Sequence, residues 1–278
     1  MFPNTFLTPD GLTLRCAAVT PLNGQSRAKV LIVHGLGDHS RGLPYANLTT
    51  YLTSCEMAVY SFDLRGHGHS DGPRMFVNAF ADFRRDLRVF VEMVRSDEPD
   101  APLYLFGMSL GGLLVLNYAE HDSDGVDGVV VIAPAVVSSG VPPLVRRIVP
   151  ILSRLAPRAS INPRLDLTHI ARDPVSVREY TSDPLFQTRT TPRLAAEILA
   201  GMDETRALAD RLRLPLLILH GANDTIVPPE GSAGYIQQVA STDSERIVYP
   251  DAYHNLLIDN NRDEVMADIG DWIKGRTR

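Results

Sequence analysis

The sequence predicts an α/β fold in which helices cover both faces of a mostly parallel central sheet. Short apolar runs recur along the chain and are continuous rather than alternating, as expected for strands that are buried on both faces. Segments with helical periodicity lie between these runs, and such alternation is typical of parallel sheets. The predicted buried strands are residues 30–33, 59–62, 103–106, 129–132, 216–219 and 247–249.

Three segments between or after these runs are predicted to be helices. Residues 80–94 place their large apolar side chains on one stripe and their arginines elsewhere. Residues 109–120 and Arg262–Lys274 also have helical patterns. Before the first buried run, residues 11–19 (GLTLRCAAV) resemble an antiparallel strand at the edge of the sheet.

The alternation of strands and helices stops between residues 136 and 213, a stretch rich in proline and arginine. We interpret this stretch as a helical insertion that forms a cap. The sequence therefore predicts a first core part at 1–135, a cap or lid at 136–213 and a second core part at 214–278.

Within the cap, residues 142–157 (PPLVRRIVPILSRLAP) place apolar side chains on one arc of a helix and arginines on the opposite arc. The first two prolines suit a helix start, whereas Pro150 should kink or split the helix. The apolar arc packs on its own domain, or it covers a substrate pocket and touches a lipid surface, and these two uses are compatible. The candidate substrate contacts on this arc are Leu144, Val145, Ile148 and Leu152.

The composition limits the classes of function that we expect for the chain. Of the 278 residues, 44% are hydrophobic and 22% are charged, an ordinary globular balance. The net charge of −6 argues against a nucleic-acid partner, which requires a basic surface. Cys16 and Cys55 have neither paired nor metal-like spacing, so we expect no disulfide and no zinc site.

The same chain shows no pattern of a signal peptide, and no apolar run reaches the roughly 18 residues that span a membrane. We therefore expect a cytoplasmic protein that is at most peripheral to a membrane. The sequence leaves the oligomeric state open.

Residues 107–111 (GMSLG) follow a predicted strand and precede a predicted helix. A sharp turn from strand to helix can expose a serine hydroxyl at the carboxyl edge of a sheet, and glycines on both sides relieve the crowding. The alternative is a glycine-rich turn with a chance serine. The context favours Ser109 as a nucleophile.

A serine nucleophile needs a base, and in hydrolases with this turn the acid and then the histidine follow the serine along the chain. His254 follows the last predicted strand and is the best candidate, rather than a surface histidine. His121, His169 and His220 are less suitable by position, and His220 is more consistent with shaping its own loop.

The acid that orients His254 should follow a strand and precede the histidine. Asp224 lies in LLILHGANDTIVPP, four residues past His220 at the end of the strand, where it could accept the Nδ1–H of the imidazole. A purely structural turn residue is the alternative. Asp251 is too close to His254 in sequence, and Asp259 comes after it.

An oxyanion hole requires two backbone N–H groups aimed at the developing charge. One should belong to Leu110, directly after the nucleophile. The other should come from the loop after an early strand, where VLIVHGLGDHS places Leu36.

Residues 63–74 (DLRGHGHSDGPR) bring two histidines and two aspartates together in sequence. We interpret them as a structured turn with local hydrogen bonds rather than as a metal site, because the other ligands that a metal needs are not evident. We expect neither a metal nor a cofactor.

Five segments, HGLGDHS, DLRGHGHSDG, GMSLGG, GANDTIVPPEGS and DAYHNLL, occur in the order seen in the monoacylglycerol lipase and lysophospholipase-like branch of the α/β-hydrolases. Residues 165–199 are similar to the cap of bacterial monoglyceride lipases, so the resemblance covers nearly the whole chain. It implies Ser109, Asp224 and His254 as the catalytic triad and the amides of Leu36 and Leu110 as the oxyanion hole. Where many relatives have histidine before the serine and methionine after it, this chain has apolar neighbours on both sides.

The residues and the resemblance together predict a serine ester hydrolase that works through an acyl-enzyme, with monoacylglycerols or similar fatty acyl esters as leading substrates. The alternative is a carboxylesterase for short-chain or xenobiotic esters. A non-catalytic receptor on the same fold is a third hypothesis. Dehalogenases and epoxide hydrolases of this fold have aspartate where this chain has Ser109.

Overall fold

The computed structural model describes residues 2–22, 24, 26–138, 141–162 and 167–277. Its centre is an eight-stranded sheet with the strand order β1-β2-β4-β3-β5-β6-β7-β8. The strands β1 and β2 are antiparallel to their neighbours, and the other adjacent pairs are parallel. The strands are β1 Thr5–Leu7, β2 Thr13–Val19, β3 Ala28–Val33, β4 Met57–Phe62, β5 Leu103–Met108, β6 Gly128–Ile132, β7 Leu216–Gly221 and β8 Ser244–Tyr249.

Two layers of helices cover this sheet. One apolar core forms against α2, α3 and α7, and a second forms on the opposite face against α1 and α8. Because both faces are covered, β3, β4, β5, β6 and β7 are buried along their whole length, which explains their continuous apolar runs. The helices are α1 Leu43–Ser54, α2 Phe80–Asp97, α3 Leu110–His121, α4 Pro143–Leu155, α5 Pro174–Thr181, α6 Pro192–Leu208, α7 Pro229–Ile236 and α8 Arg262–Lys274.

All six predicted strands and all three predicted helices are present, with ends shifted by a few residues at most. The burial predicted for residues 247–249 was wrong in part, because β8 lies at the edge of the sheet and Val248 is exposed. The antiparallel strand predicted at 11–19 is β2, but its edge position was wrong. The short strand β1 pairs with its outer side and occupies the edge instead. The helices α1 and α7 are also additional to the prediction.

The helices α4, α5 and α6 follow β6 and precede β7, within the stretch that the sequence assigns to a cap. Residues 139, 140 and 163–166 of this stretch lie outside the described residues. The domain division at 136 and 213 stays a prediction.

The helix α4 continues through Pro150, where the sequence predicted a kink or a split. Pro150 can donate no hydrogen bond to the carbonyl of Arg146. Because both residues are exposed, water can bind that carbonyl. In the described part of the chain, no helix is long and apolar enough to cross a membrane.

A buried carboxyl group lies where α3 packs against α7. Glu120 accepts a hydrogen bond of 2.6 Å at Oε1 from the Tyr235 hydroxyl. Its Oε2 has no hydrogen-bond partner among the described residues. Burial, only partly opposed by this hydrogen bond, raises the pKa of Glu120 to about 8. The folded protein therefore holds a proton on Glu120 at neutral pH.

This proton makes stability depend on pH. The unfolded chain releases it near pH 4.5 and the folded chain near pH 8, so the contribution of Glu120 is full below the lower value and is lost as pH rises to the upper. We expect Glu120→Gln to remove this loss. The difference in unfolding free energy between variant and wild type should grow by on the order of 2–4 kcal/mol from about pH 5 to about pH 9.

Urea denaturation at several pH values measures this difference. Glu92→Gln, a substitution at an exposed glutamate of α2, is the matched control and should leave the pH dependence unchanged. Parallel pH profiles for wild type and Glu120→Gln would contradict the assignment.

Candidate active site

The candidate nucleophile lies in a strained turn between β5 and α3. Ser109 has φ 55° and ψ −115°, a conformation that L-residues rarely adopt. Its backbone N–H donates to Ile132 at 3.0 Å, and its carbonyl accepts from Ala135 at 3.1 Å. These bonds to the end of β6 hold the turn in this conformation.

The glycines of this turn are required by close packing of the backbone. A Cβ on Gly111 would overlap the carbonyl oxygen of Val33 at the end of β3. A Cβ on Gly107 would overlap the carbonyl of Gly111 itself. Glycine at both positions therefore lets α3 start directly at the edge of the sheet.

Asp224 and His254 meet at the same edge, after β7 and β8. Oδ2 of Asp224 lies 2.7 Å from Nδ1 of His254, and both side chains are buried. Oδ1 accepts the N–H groups of Ile226 at 2.8 Å and Val227 at 2.9 Å. Burial alone would raise the pKa of Asp224. The neighbouring His254, with the hydrogen bonds from two imidazoles and from Val227, instead holds it far below its usual range.

The rival carboxylates lie elsewhere. Asp251 is exposed. Asp259 is buried, but it binds the side chain of Arg172 at 2.6 Å and the N–H of Tyr253 at 3.2 Å. Neither rival provides a hydrogen bond to His254 in the described structure, so Asp224 is the candidate among the three that bonds this imidazole.

The other histidines after the serine differ in their surroundings. His121 ends α3 and contacts the carbonyl of Asn117. His169 packs its ring against Tyr253. His220 is fully buried beside Asp224, a contact that the sequence analysis missed. Its place at the end of a strand, four residues before the acid, could have indicated this contact.

The two amides of the proposed oxyanion hole are available to a substrate. Leu110 is the first residue of α3, so its N–H has no acceptor within the helix. The N–H of Leu36 likewise donates to no acceptor among the described residues. Both residues line the same cavity as Ser109 and His254.

The loop that carries Leu36 is held in place by hydrogen bonds of the His34 side chain. Nδ1 of His34 lies 2.8 Å from the carbonyl of Gly35, and Nε2 accepts the N–H of Leu64 at 2.9 Å. These partners place the proton on Nδ1. Burial lowers the pKa of His34 to about 4, so the ring stays neutral in this role.

The same loop is also held by hydrogen bonds to α1 and to the segment that the sequence assigns to the cap. The N–H of Gly35 donates to the hydroxyl of Tyr45 at 2.8 Å, and this hydroxyl donates to Asp38. Tyr180 of α5 donates to Asp38 at 2.9 Å. The N–H of Gln187 donates to the carbonyl of Gly37 at 2.7 Å. Burial raises the pKa of Asp38 to about 6, opposed by the hydrogen bonds from the N–H of His39 and from the hydroxyls of Tyr180 and Tyr45.

Ser109, His254 and the two amides open onto a cavity of about 520 Å³. Its walls are mainly apolar, and no carboxylate is among the described residues that line it. Arg189 is exposed at its wall and bonds Ser160. Apolar residues from 136–213 contribute a large part of the wall: Val141, Leu167, Ile170, Phe186, Ile198 and Met202.

The four apolar residues of α4 that the sequence placed at the substrate do not line this cavity, so that expectation is corrected. Their side chains are exposed, from 37% for Leu152 to 65% for Leu144. Val145 and Ile148 lie between these values. The physical reason is that α4 packs on α6 through Val149 and Ser153, which turns most of its apolar arc outward.

The segment 63–74 is a structured turn. Asp63 accepts the N–H groups of Ser40 and His69, each at 2.8 Å. Nδ1 of His67 lies 3.0 Å from the carbonyl of Arg65. Within the described residues, no group of three or more histidine, cysteine or acidic side chains has the arrangement of a metal site.

Comparison with known proteins gives a consistent result. The family model described as serine aminopeptidase, S33, matches residues 24–261. The monoacylglycerol lipase of Mycolicibacterium smegmatis is 32% identical over 251 residues, covering 89% of this chain and 88% of that protein.

Solved structures are similar over nearly the whole chain. The crystal structure of Paleococcus ferrophilus monoacylglycerol lipase has a TM-score of 0.86 at 31% identity and covers 95% of this chain and 99% of that one. A soluble variant of the monoglyceride lipase from Saccharomyces cerevisiae, in complex with a substrate analog, has a TM-score of 0.89 at 24% identity. It covers 99% of this chain and 96% of that one, and it shows the shared fold.

The contacts around Asp38 predict that Tyr180 acts on the loop of Leu36. Tyr180→Phe removes one donor to a buried carboxylate but keeps the ring that packs on Phe186. We expect the free energy of unfolding to fall by about 1.5–3 kcal/mol. We also expect kcat for ester hydrolysis to fall by roughly tenfold, because the Leu36 amide is held less firmly.

Tyr60→Phe is the matched control. It removes a 2.8 Å bond from a buried tyrosine to Asp97, away from the residues that line the cavity. Thermal unfolding and steady-state kinetics should show lower stability in both variants but lower kcat only in Tyr180→Phe. Equal kcat values for Tyr180→Phe and Tyr60→Phe would contradict the proposed link between Tyr180 and the amide of Leu36.

Proposed function

The chain belongs to the serine aminopeptidase S33 family, and on that premise we propose that it hydrolyses monoacylglycerols or similar fatty acyl esters. The observation on which this proposal rests is a mainly apolar cavity. Ser109 and His254 line it, together with Leu36 and Leu110, whose N–H groups are free. The bond between Asp224 and His254 completes the proposed triad.

The family match and the likeness to lipases of the same fold confirm two predictions from the sequence, the α/β-hydrolase fold and a serine hydrolase. The identity of the substrate and the roles of individual residues are our proposal.

The proposed reaction begins with attack of the Ser109 hydroxyl on the ester carbonyl. Nε2 of His254 takes the hydroxyl proton while the Oγ–C bond forms, and Asp224 stabilises the resulting imidazolium. The carbonyl electron pair moves to oxygen, where the N–H groups of Leu36 and Leu110 stabilise the negative charge. Each such donor typically contributes roughly 2.7–4 kcal/mol.

The tetrahedral intermediate then collapses. The bond to the alcohol breaks, and the leaving oxygen takes the proton from His254, which leaves an acyl group on Ser109. A water molecule gives a proton to the same imidazole and attacks the acyl carbon. Collapse of this second intermediate returns the proton to Ser109 and releases the fatty acid.

The charge of the cavity distinguishes this proposal from the peptidase activity in the family's description. An aminopeptidase must bind the positively charged amino terminus of its substrate, and a carboxylate is the usual partner for an ammonium group. The described lining residues include no aspartate or glutamate. The cavity therefore suits a substrate that is neutral and largely apolar.

We assign the acyl contacts to the apolar wall from residues 136–213, instead of to the outward arc of α4. Phe186, Ile198 and Met202 line the cavity together with Met108 of the nucleophile turn. Burial of an acyl chain against such a wall stabilises the complex by about 0.8 kcal/mol for each methylene group. Affinity should therefore rise with chain length until the cavity is full.

The exposed apolar arc of α4 supports a second part of the proposal, transient contact with a lipid surface. Leu144, Ile151 and Leu155 are 65%, 57% and 78% exposed, and the same helix carries Arg147 and Arg154. Apolar side chains flanked by arginines bind the boundary between headgroups and acyl chains. We further propose a cytoplasmic location, because Cys16 and Cys55 are both free thiols.

We expect Ser109→Ala to lower turnover of p-nitrophenyl and monoacylglycerol esters by at least about a thousandfold while the protein stays folded, because no other group supplies the nucleophile. A fluorophosphonate probe should label wild type and not this variant. Ser96→Ala, which changes an exposed helical serine, should keep both activity and labelling. Undiminished turnover in folded Ser109→Ala would refute the nucleophile.

A profile from acetate to palmitate esters tests the substrate. Acyl chains of about eight carbons or more should give the highest kcat/KM, with strong turnover of 1- and 2-monoacylglycerols. If esters with acyl chains of about two to four carbons gave the highest kcat/KM, the result would favour the alternative carboxylesterase, because such short chains cover little of an apolar wall.

The lipid contact gives its own prediction. The triple substitution Leu144→Ser, Ile151→Ser and Leu155→Ser should weaken co-sedimentation with anionic liposomes by at least roughly tenfold, because less apolar surface enters the bilayer. Hydrolysis of a water-soluble butyrate ester should not change, since these residues do not line the cavity.

Three exposed apolar residues outside α4 provide the matched control, namely Leu7, Leu22 and Val175. Their replacement by serine should leave sedimentation unchanged. Equal losses in both triple variants would show that α4 has no special part in binding.

A further inference from the structure

The buried His220 shares the proposed acid with the proposed base. His220 lies on β7 and is fully buried. Its Nε2 is 3.2 Å from Oδ2 of Asp224, the same oxygen that lies 2.7 Å from Nδ1 of His254. One carboxylate oxygen thus faces two imidazoles.

The other contacts of His220 fix where its proton lies. Nε2 is also 2.9 Å from the carbonyl of Val227. A carbonyl and an ionised carboxylate can only accept, so Nε2 carries the proton and is shared between the two oxygens. Nδ1 lies 2.8 Å from the hydroxyl of Ser232 on α7 and, in the neutral ring, accepts its proton.

Arg246 of β8 stabilises this arrangement from outside. Its Nε donates to the oxygen of Ser232 at 2.9 Å, and its guanidinium also bonds the carbonyl of Pro229 at 2.8 Å. The hydroxyl of Ser232 therefore accepts from Arg246, and its own proton has two acceptors within reach, Nδ1 of His220 at 2.8 Å and the carbonyl of Pro229 at 3.0 Å.

The ionisable groups around His220 are few. Asp224 lies on its own loop, His254 and Arg246 come from β8 and the segment after it, and Glu230 of α7 acts on Arg246. Only Asp224 among them hydrogen-bonds the ring of His220 in the described structure. The ring is therefore positioned to act on that carboxylate.

We propose that His220 is a positioning residue that donates its Nε2–H to Oδ2 of Asp224 and thereby lowers the basicity of His254. With His220 present, Asp224 accepts from two backbone amides and two imidazoles, so its negative charge is distributed over four donors. Less of that charge then stabilises the imidazolium of His254, and its conjugate base is available at lower pH. The inference rests on the proposed triad and concerns its regulation by a neighbouring residue.

The test compares three variants. His220→Leu removes the donor, and His220→Gln keeps an N–H donor of similar reach. His121→Leu is the matched control, because it removes an imidazole 3.3 Å from the carboxylate of Glu204, away from the cavity. For each, the pH profile of kcat/KM is measured with a soluble p-nitrophenyl ester, and histidine nitrogen NMR follows the titration of His254 directly.

We expect the acid limb of the profile to move up by about half to one pH unit in His220→Leu, because one charge-stabilising donor is lost. The titration of His254 should move by the same amount. KM should stay within roughly twofold, since His220 does not line the cavity. His220→Gln should restore the limb of wild type, and His121→Leu should not move it.

The proposal would be overturned if the acid limb of the kcat/KM profile did not move in folded His220→Leu. It would also be overturned if this limb moved equally in His121→Leu. If His220→Leu does not fold, two results decide instead. A shifted limb in His220→Gln would count against the proposal, as would wild-type NMR that shows the proton of His220 on Nδ1. These results differ from failure of the proposed function, in which wild type itself would lack ester hydrolysis that depends on Ser109.

Discussion

The proposed site depends on one steric constraint, the crossing of α3 over the end of β3 at backbone contact. The carbonyl of Val33 occupies the space that a side chain at Gly111 would need. This crossing bends the chain at Ser109 into a conformation with φ 55° and starts a helix at the next residue. Because the first N–H of a helix has no internal acceptor, the bend that exposes the serine also frees the amide of Leu110.

The second amide is held by a different force, a set of hydrogen bonds to a buried carboxylate. Burial of Asp38 is unfavourable unless its oxygens find donors, and Tyr45 and Tyr180 supply them. Tyr180 and Gln187 belong to the segment between β6 and β7, so the loop of Leu36 and this segment are stabilised together. A substitution that moves the wall of the cavity there should also move the proposed oxyanion donor, so the proposal couples substrate selectivity to the rate of hydrolysis.

Much of this architecture was predictable because its determinants are local. Parallel strands buried on both faces must be apolar throughout, and the turn at Ser109 needs its glycines within five residues. The strand β8 shows where that criterion is weak. Its first residues are exposed, so the continuous apolar run marks only its end. The strand β1 has three residues and one buried side chain, too little pattern to predict.

Contacts between distant segments were not predictable in the same way. Periodicity shows that α4 has an apolar arc, but not which arc the rest of the chain leaves room for. In the structure α4 packs on α6, and Val149 and Ser153 are its buried residues, so the larger part of the arc faces outward. The sharing of Asp224 by His220 and His254 likewise depends on how the ends of β7 and β8 lie side by side, where His220 is opposite Val248.

The sequence analysis gave the apolar arc of α4 two uses, contact with the substrate and contact with a lipid surface. Because the arc faces outward, the structure separates these two uses. Residues from α5 to the end of α6 line part of the apolar wall of the cavity and hold the loop of Leu36, so under the proposed function they would affect which ester reacts and how fast. The exposed side of α4 touches neither the cavity nor the triad, so it can affect only where the protein meets its substrate. Since apolar esters collect at lipid surfaces, the lipid contact that we propose for this arc would bring the cavity to them without altering the chemistry inside it.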